Sequence, residues 1–195
     1  MMLDESRADG DEAALAAYPP LLWHILSGKE FGPPLRSRNR PMYQAAWREM
    51  VGSLTLLPPC SELLAERFHI QWHVCHHFLR ELGDDDDLLL PMLWVWLPRY
   101  QGPGLTLYRG ENVDRFEAGR IGTAWSNKAE TADMFAQGLN AIGKGGVILR
   151  TVAPTEAIIA GPSIHSAQWL DESEFTIDTR KLGVIESVAR FKPSH

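Results

Sequence analysis

The chain has 195 residues, 45% of them hydrophobic and seven of them Trp, enough to bury a core as one domain or two small ones. Its formal net charge of -6 lies wholly in residues 1–98, with 8 basic against 14 acidic side chains, while residues 99–195 balance at 11 and 11. Neither half carries the basic footprint that phosphate-backbone binding requires, so no nucleic-acid partner is expected, and two cysteines are too few for a disulfide framework or a Cys-rich zinc site.

The N-terminal stretch "MMLDESRADGDEAA" is acidic and lacks the apolar run of a standard secretory signal. With Cys60 and Cys75 read as reduced thiols, the expectation is a cytoplasmic protein, or one delivered without a standard secretion signal. The first half reads as helical. A short helix over "DEAALAAYPPLLWHILSG" is interrupted at Pro19 and Pro20, and a second over "PMYQAAWREMVGSL" has Pro41 in its first turn, with Gly28 and Gly52 as plausible ends. The longest helix is predicted from Ser61, as N-cap, to Leu82. Leu64, Phe68, Trp72, Cys75, Leu79 and Leu82 recur at three- and four-residue steps along it and make one buried stripe.

"GDDDDLLLPMLWVWLP" follows, with four Asp ahead of an apolar run. Carboxylates there suit the positive end of a helix dipole; a solvated turn is the ordinary reading of the run and metal binding the sharper one. The apolar run spans 11 residues with two prolines, against the roughly 20 that a membrane-spanning helix needs, so it reads as core and no membrane association is expected. In "HIQWHVCHH", His69 and His73 stand at i, i+4 with His76 and His77 close by, but no third zinc ligand is assignable and the Glu of a His-Glu-x-x-His motif is absent. A His-rich flank of an amphipathic helix is the plainer reading.

Beyond Pro98 the texture changes: Gly becomes frequent and short β-type runs appear over residues 105–110, 145–152, 156–161, 173–178 and 183–191, with one helix over 127–139. The expected class is α+β, a helical region over 1–98 and an α+β domain over 99–195. "AIGKGG" lies between a helix and a strand in that order and lacks the Ser or Thr after Lys of a nucleotide-triphosphate loop, so it reads as a turn.

Three pieces of this half carry chemistry. In "LYRGE", Arg109 follows a strand and precedes Gly110, where a guanidinium can make a forked contact to phosphate. In "GTAWSNKAETADMFAQG", Ser126 reads as the N-cap of the following helix. In "WLDESEFTID", period-2 alternation places Glu172 and Glu174 on one strand face, with Phe175 and Ile177 on the other.

In this order the three pieces resemble the Arg, Ser-Thr-Ser, Glu-x-Glu signature of the mono-ADP-ribosyltransferase family, the fold of bacterial ADP-ribosylating exotoxins. "YRG", the helix bearing Ala132, Phe135 and Ala136, and the strand ending in "VAPTEAIIA" extend the resemblance over about residues 104–191. It implies a small split β-sheet core binding NAD, consumed as a substrate with release of nicotinamide. By the same resemblance Arg109 holds NAD through a phosphate, with Tyr108, Gly110, Trp125 and Ser126 beside it. Glu174 becomes the catalytic carboxylate and Glu172 the residue that orients the acceptor, a protein side chain and, with Glu at this place, arginine. A carboxylate beside the ribose stabilises the oxocarbenium-like state that forms as the nicotinamide bond breaks.

Ala124 stands where the family has its first Ser. Ser126, two positions on and facing the same side, is the expected substitute, whereas Thr123 is one position off and faces away. The helix between Arg109 and this motif is expected to shrink to "DRFEAGRIG". The loop 162–171, "PSIHSAQWLD", is implied to meet the target, with His165 and Trp169 as contacts; a core anchor is the alternative for Trp169. NAD glycohydrolysis and a non-catalytic interaction module with this fold are the competing functions.

Overall fold

The structure is a computed structural model that describes residues 16–28, 38–83, 85–168 and 171–194. The chain divides into two compact units, Met1–Leu97 and Pro98–His195.

The first unit contains four described helices: α1 (Pro20–Leu26), α2 (Arg40–Leu56), α3 (Glu62–Gly83) and α4 (Asp86–Trp96). Ser61 caps α3 by accepting a hydrogen bond from Leu64 N at 3.2 Å, and every residue of the stripe from Leu64 to Leu82 is buried. The stripe packs its Phe68 ring against Trp96 with centroids 5.0 Å apart, and Trp96 Nε1 donates to the carbonyls of Leu54 and Leu57 at the end of α2. That satisfies carbonyls a helix terminus would otherwise leave without partners. Gly52 does not end α2, which continues to Leu56; helical contacts carry a single Gly at a cost of about 1 kcal/mol. Within the Asp run the carboxylates stand at the positive end of a helix: Asp85 caps α4 by accepting from Leu88 N, and Asp86, in the first turn of α4, pairs with Arg80. His69 and His73 are buried on α3 with ring centroids 4.6 Å apart, whereas His76 is half-buried and His77 exposed, so the four span the edge of the packed face. Among the described residues no helix is long and apolar enough to cross a membrane, and no group of three or more His, Cys, Asp or Glu is arranged to hold a metal ion.

The second unit is an α+β arrangement around a six-stranded antiparallel sheet. In chain order come β1 (Leu105–Asn112), α5 (Val113–Glu117), β2 (Ala124–Ser126), α6 (Ala129–Gln137), β3 (Gly146–Ala153), β4 (Ile158–Ala160), α7 (Ile164–Gln168), β5 (Glu174–Ile177) and β6 (Ile185–Phe191). The strand order is β4-β5-β2-β1-β3-β6. β1 pairs with β3 along its whole length, from Leu105↔Ala153 to Asn112↔Gly146, whereas β1 and β2 meet at one pair, Tyr108↔Ser126. The ladder therefore opens at its centre, leaving a seam between β4-β5-β2 and β1-β3-β6.

One face of the sheet holds the core made by Leu107, Trp125, Val147, Leu149, Phe175 and Ile177. α6 covers the other face, where Ala132 and Ala136 pack with Ile148 and Tyr108. The close approach is possible because two strand positions lack a Cβ. A Cβ on Gly110 would lie 2.6 Å from Ala136 N and 2.8 Å from Phe135 Cβ, and one on Gly146 would overlap the Ala136 carbonyl. Backbone cannot swing aside as a side-chain tip can. Gly146→Ala is accordingly expected to destabilise this unit by about 3 kcal/mol or more, read as a lower denaturant midpoint, whereas Gly52→Ala, with nothing within 4 Å of its new Cβ, should slightly stabilise the chain.

Candidate functional site

The site forms at the seam. Tyr108 of β1 lies opposite Ser126 of β2, and Ser126 lies opposite Glu174 of β5, so the ladder sets these three in one row across three strands. Direct cross-strand partners share a sheet face, which puts Ser126 and Glu174 side by side. Arg109, next to Tyr108, leaves β1 on the alternate side, opposite Leu149, and its guanidinium spans the seam to β2, where Nη1 donates to the Ala124 carbonyl at 2.6 Å.

Glu174 is buried to 9% exposure, yet it carries a carboxyl group. Burial pushes its pKa up to about 8; the charge of Glu172 adds to the rise, and the Arg109 guanidinium works against it. Arg109 and Glu172 thus both act on Glu174, although the three come from different segments.

The sequence expectation that Glu172 and Glu174 share a strand face is corrected here. β5 begins at Glu174, and Glu172 sits in a turn between Asp171 (φ 54) and Ser173 (φ 47), two non-glycine residues in the left-handed region. Such a pair is uncommon and costs energy unless neighbours hold it. The holding contacts are visible: Ser126 Oγ donates to Glu172 O at 2.6 Å, Lys128 Nζ donates to Asp171 O at 2.9 Å and pairs with its carboxylate, Glu172 N donates to Ser166 O at 3.1 Å, and Glu174 N donates to Ser166 Oγ at 2.9 Å. Period-2 alternation requires continuous strand, which the two left-handed residues interrupt.

The expectation for Ser126 is corrected as well. It is the last residue of β2 and not the N-cap of α6, a position held by Lys128, whose N–H donates to Ser126 Oγ at 3.0 Å. Its hydroxyl therefore ties the start of α6 to the turn carrying Glu172. Ala124 pairs with Thr176, and the Thr123 hydroxyl is buried with no hydrogen-bond partner among the described residues.

Two expected neighbours of a ligand have packing roles. Trp125 is buried in the core, with Nε1 donating to Gly122 O at 3.0 Å, and Gly110 lies under α6. "AIGKGG" is a turn latched to β1: Asn112 Nδ2 donates to the carbonyls of Ile142 and Gly145, and Lys144 N to Asp114. Trp169 lies outside the described residues, as does the side chain of His165.

Glu111, Gly122 and Ser166 also contact the site, Glu111 through Arg109, Gly122 through Glu111 and Ser166 through Glu174 N. Glu111 was legible as the residue two positions after Arg109, hence on the same strand side; nothing marked Gly122 or Ser166, which act through loops. Compared with protein-family models, curated proteins and solved structures, the chain matches none.

Proposed function

We propose that the second unit is an NAD-dependent mono-ADP-ribosyltransferase that moves ADP-ribose onto a protein side chain, arginine by the residue at position 172, and releases nicotinamide. The observation that carries this reading is the row Tyr108–Ser126–Glu174 across β1, β2 and β5 with the Arg109 charge acting on Glu174. A sheet opened at its centre supports the split-sheet core that the resemblance implies.

In this reading Glu174 is the group beside the nicotinamide ribose. With its pKa near 8, the carboxyl is largely protonated at neutral pH. A cationic nicotinamide-ribose arriving beside it favours the ionised form, and the resulting carboxylate is strongest where ribose charge develops, because a buried site screens it little. Arg109 holds a phosphate by charge-assisted hydrogen bonding. Glu172 orients and deprotonates the incoming guanidinium.

The test is incubation with NAD and a cell lysate, following nicotinamide release and ADP-ribose on protein. Both should appear; neither NAD loss nor labelled protein with the wild-type chain would sink the proposal, and nicotinamide release without labelling would identify a glycohydrolase. Glu172→Gln sharpens it. Transfer to arginine should fall roughly 100-fold with NAD hydrolysis retained within a few-fold. Because the Glu172 charge helps raise the Glu174 pKa, the pH at which activity is half-maximal should move to lower pH in the same variant.

A further inference from the structure

We propose that Glu111 and Gly122 are positioning residues for Arg109, fixing its guanidinium so that Nη2 is the donor left for an anionic group of the substrate; this rests on the NAD reading of Arg109 given above. Glu111 is 1% exposed, and both its oxygens are engaged. Oε2 accepts from Arg109 Nε at 2.9 Å and from Gly122 N at 3.0 Å, while Oε1 accepts from Asn112 N at 3.0 Å and pairs with Arg115 Nε at 3.2 Å.

A carboxylate with two guanidinium partners and two backbone donors stays ionised in spite of burial, and the same contacts hold its pKa below the usual range. Arg109 and Arg115 share the single carboxylate of Glu111, so neither guanidinium has it to itself. An anionic acceptor is the complement of a guanidinium N–H left over from such sharing.

Arg109 is held at two of its three nitrogens, Nε by Glu111 and Nη1 by the Ala124 carbonyl at 2.6 Å. Among the described residues Nη2 makes no hydrogen bond. Gly122 lies against this end of the guanidinium: a Cβ there would overlap Nη2 and come within 2.7 Å of Nε. One loop residue therefore supplies the N–H that holds Glu111 and, by lacking a side chain, the space that Arg109 occupies. An arginine fixed this way gives up its rotational freedom on folding and not on binding, which lowers the cost of holding a ligand. If Glu111 served only to tie β1 to the loop before β2, the state of Arg109 would not depend on the carboxylate's charge.

The experiment uses the full-length chain with 15N-labelled arginine and two variants. Glu111→Gln keeps shape and an acceptor oxygen and removes the charge; Gly122→Ala leaves the carboxylate and displaces the guanidinium tip. The Arg109 Nε–Hε resonance, assigned by its loss in Arg109→Lys, should exchange slowly with solvent in the wild type and at least about tenfold faster in both variants, with the strand amide resonances unchanged. KM for NAD should rise about tenfold in both, with kcat within about twofold of wild type. Wild-type exchange of that resonance in the variants overturns the proposal. So does a fall in kcat and Tm with KM unchanged. Gly122→Ala decides the matter if Glu111→Gln fails to fold, and a wild-type chain that does not turn over NAD removes the NAD reading while the resonance still decides the positioning.

Discussion

Glu174→Gln is expected to lower NAD turnover by roughly 10²- to 10³-fold and, in the same protein, to raise stability at alkaline pH. The two effects share one cause. The carboxyl is buried and its pKa is lifted to about 8, from an ordinary 4.5, chiefly by loss of water and secondarily by Glu172. Below about pH 4.5 the group is protonated in both folded and unfolded chains, and its contribution to stability is fully present. Between that pH and about 8 the unfolded chain has lost the proton that the folded chain keeps, so stability falls as pH rises. A glutamine never ionises, and the variant escapes this loss. By pH 8 the difference should reach on the order of 3 kcal/mol, visible as a Tm several degrees above wild type, and it should vanish near pH 4. The pH profile of kcat/KM should carry the matching signature: if the ionised carboxylate is the active form, the wild-type value rises with pH to a plateau above about 8, and the residual activity of the variant lacks that limb. A variant that loses activity and stability together at every pH would mark Glu174 as ordinary core.

Arg109→Met is the second large effect. The substitution preserves the apolar stem and removes the guanidinium that pairs with Glu111 and holds the Ala124 carbonyl across the seam. Glu111, 1% exposed, is left with Arg115 as its cationic partner. Losing one partner of a buried charge pair costs about 3 kcal/mol or more, so a clear drop in denaturant midpoint is expected at neutral pH. The sign of its pH dependence is opposite to that of Glu174. The depressed Glu111 pKa contributes stability above the unfolded pKa and loses it as pH falls through the folded value, so wild type and variant should converge in acid. NAD binding measured by calorimetry should be lost in the variant, and retention of wild-type affinity would exclude Arg109 as the phosphate contact.

Much of the fold was legible in residue patterns because it rests on local periodicity. The 3.6-residue recurrence of Leu64, Phe68, Trp72, Cys75, Leu79 and Leu82 predicts α3, and the Ser61 cap predicts its start. The strands over 105–110 and 145–152 match β1 and β3 to within two residues, since alternating apolar side chains and flanking glycines mark strands without reference to partners. The site was legible in its residue types but not in its geometry. Arg109, Ser126 and Glu174 were singled out by order along the chain, and the strand register brings the last two together with Tyr108. Glu172 was misplaced because the left-handed Asp171 and Ser173 are stabilised by Ser126, Lys128 and Ser166, and Ser126 is 46 residues away from the carbonyl it holds. Gly52 lies inside α2 and not at its end because burial of Trp47, Met50, Val51 and Leu54 on both sides of it outweighs the preference of glycine for helix ends.

By itself, the sequence determined the elements whose stability is local: the amphipathic helices, the capped start of α3, the strands other than β2 and the change of texture at Pro98. Only the tertiary structure decided which polar groups are buried, and with what partners. Burial is a property of everything packed around a residue, and a carboxyl's pKa follows from that surrounding. In one chain two glutamates of equal ordinary acidity, Glu111 and Glu174, have been driven in opposite directions, the first by two guanidinium groups and two N–H donors, the second by loss of water beside another carboxylate.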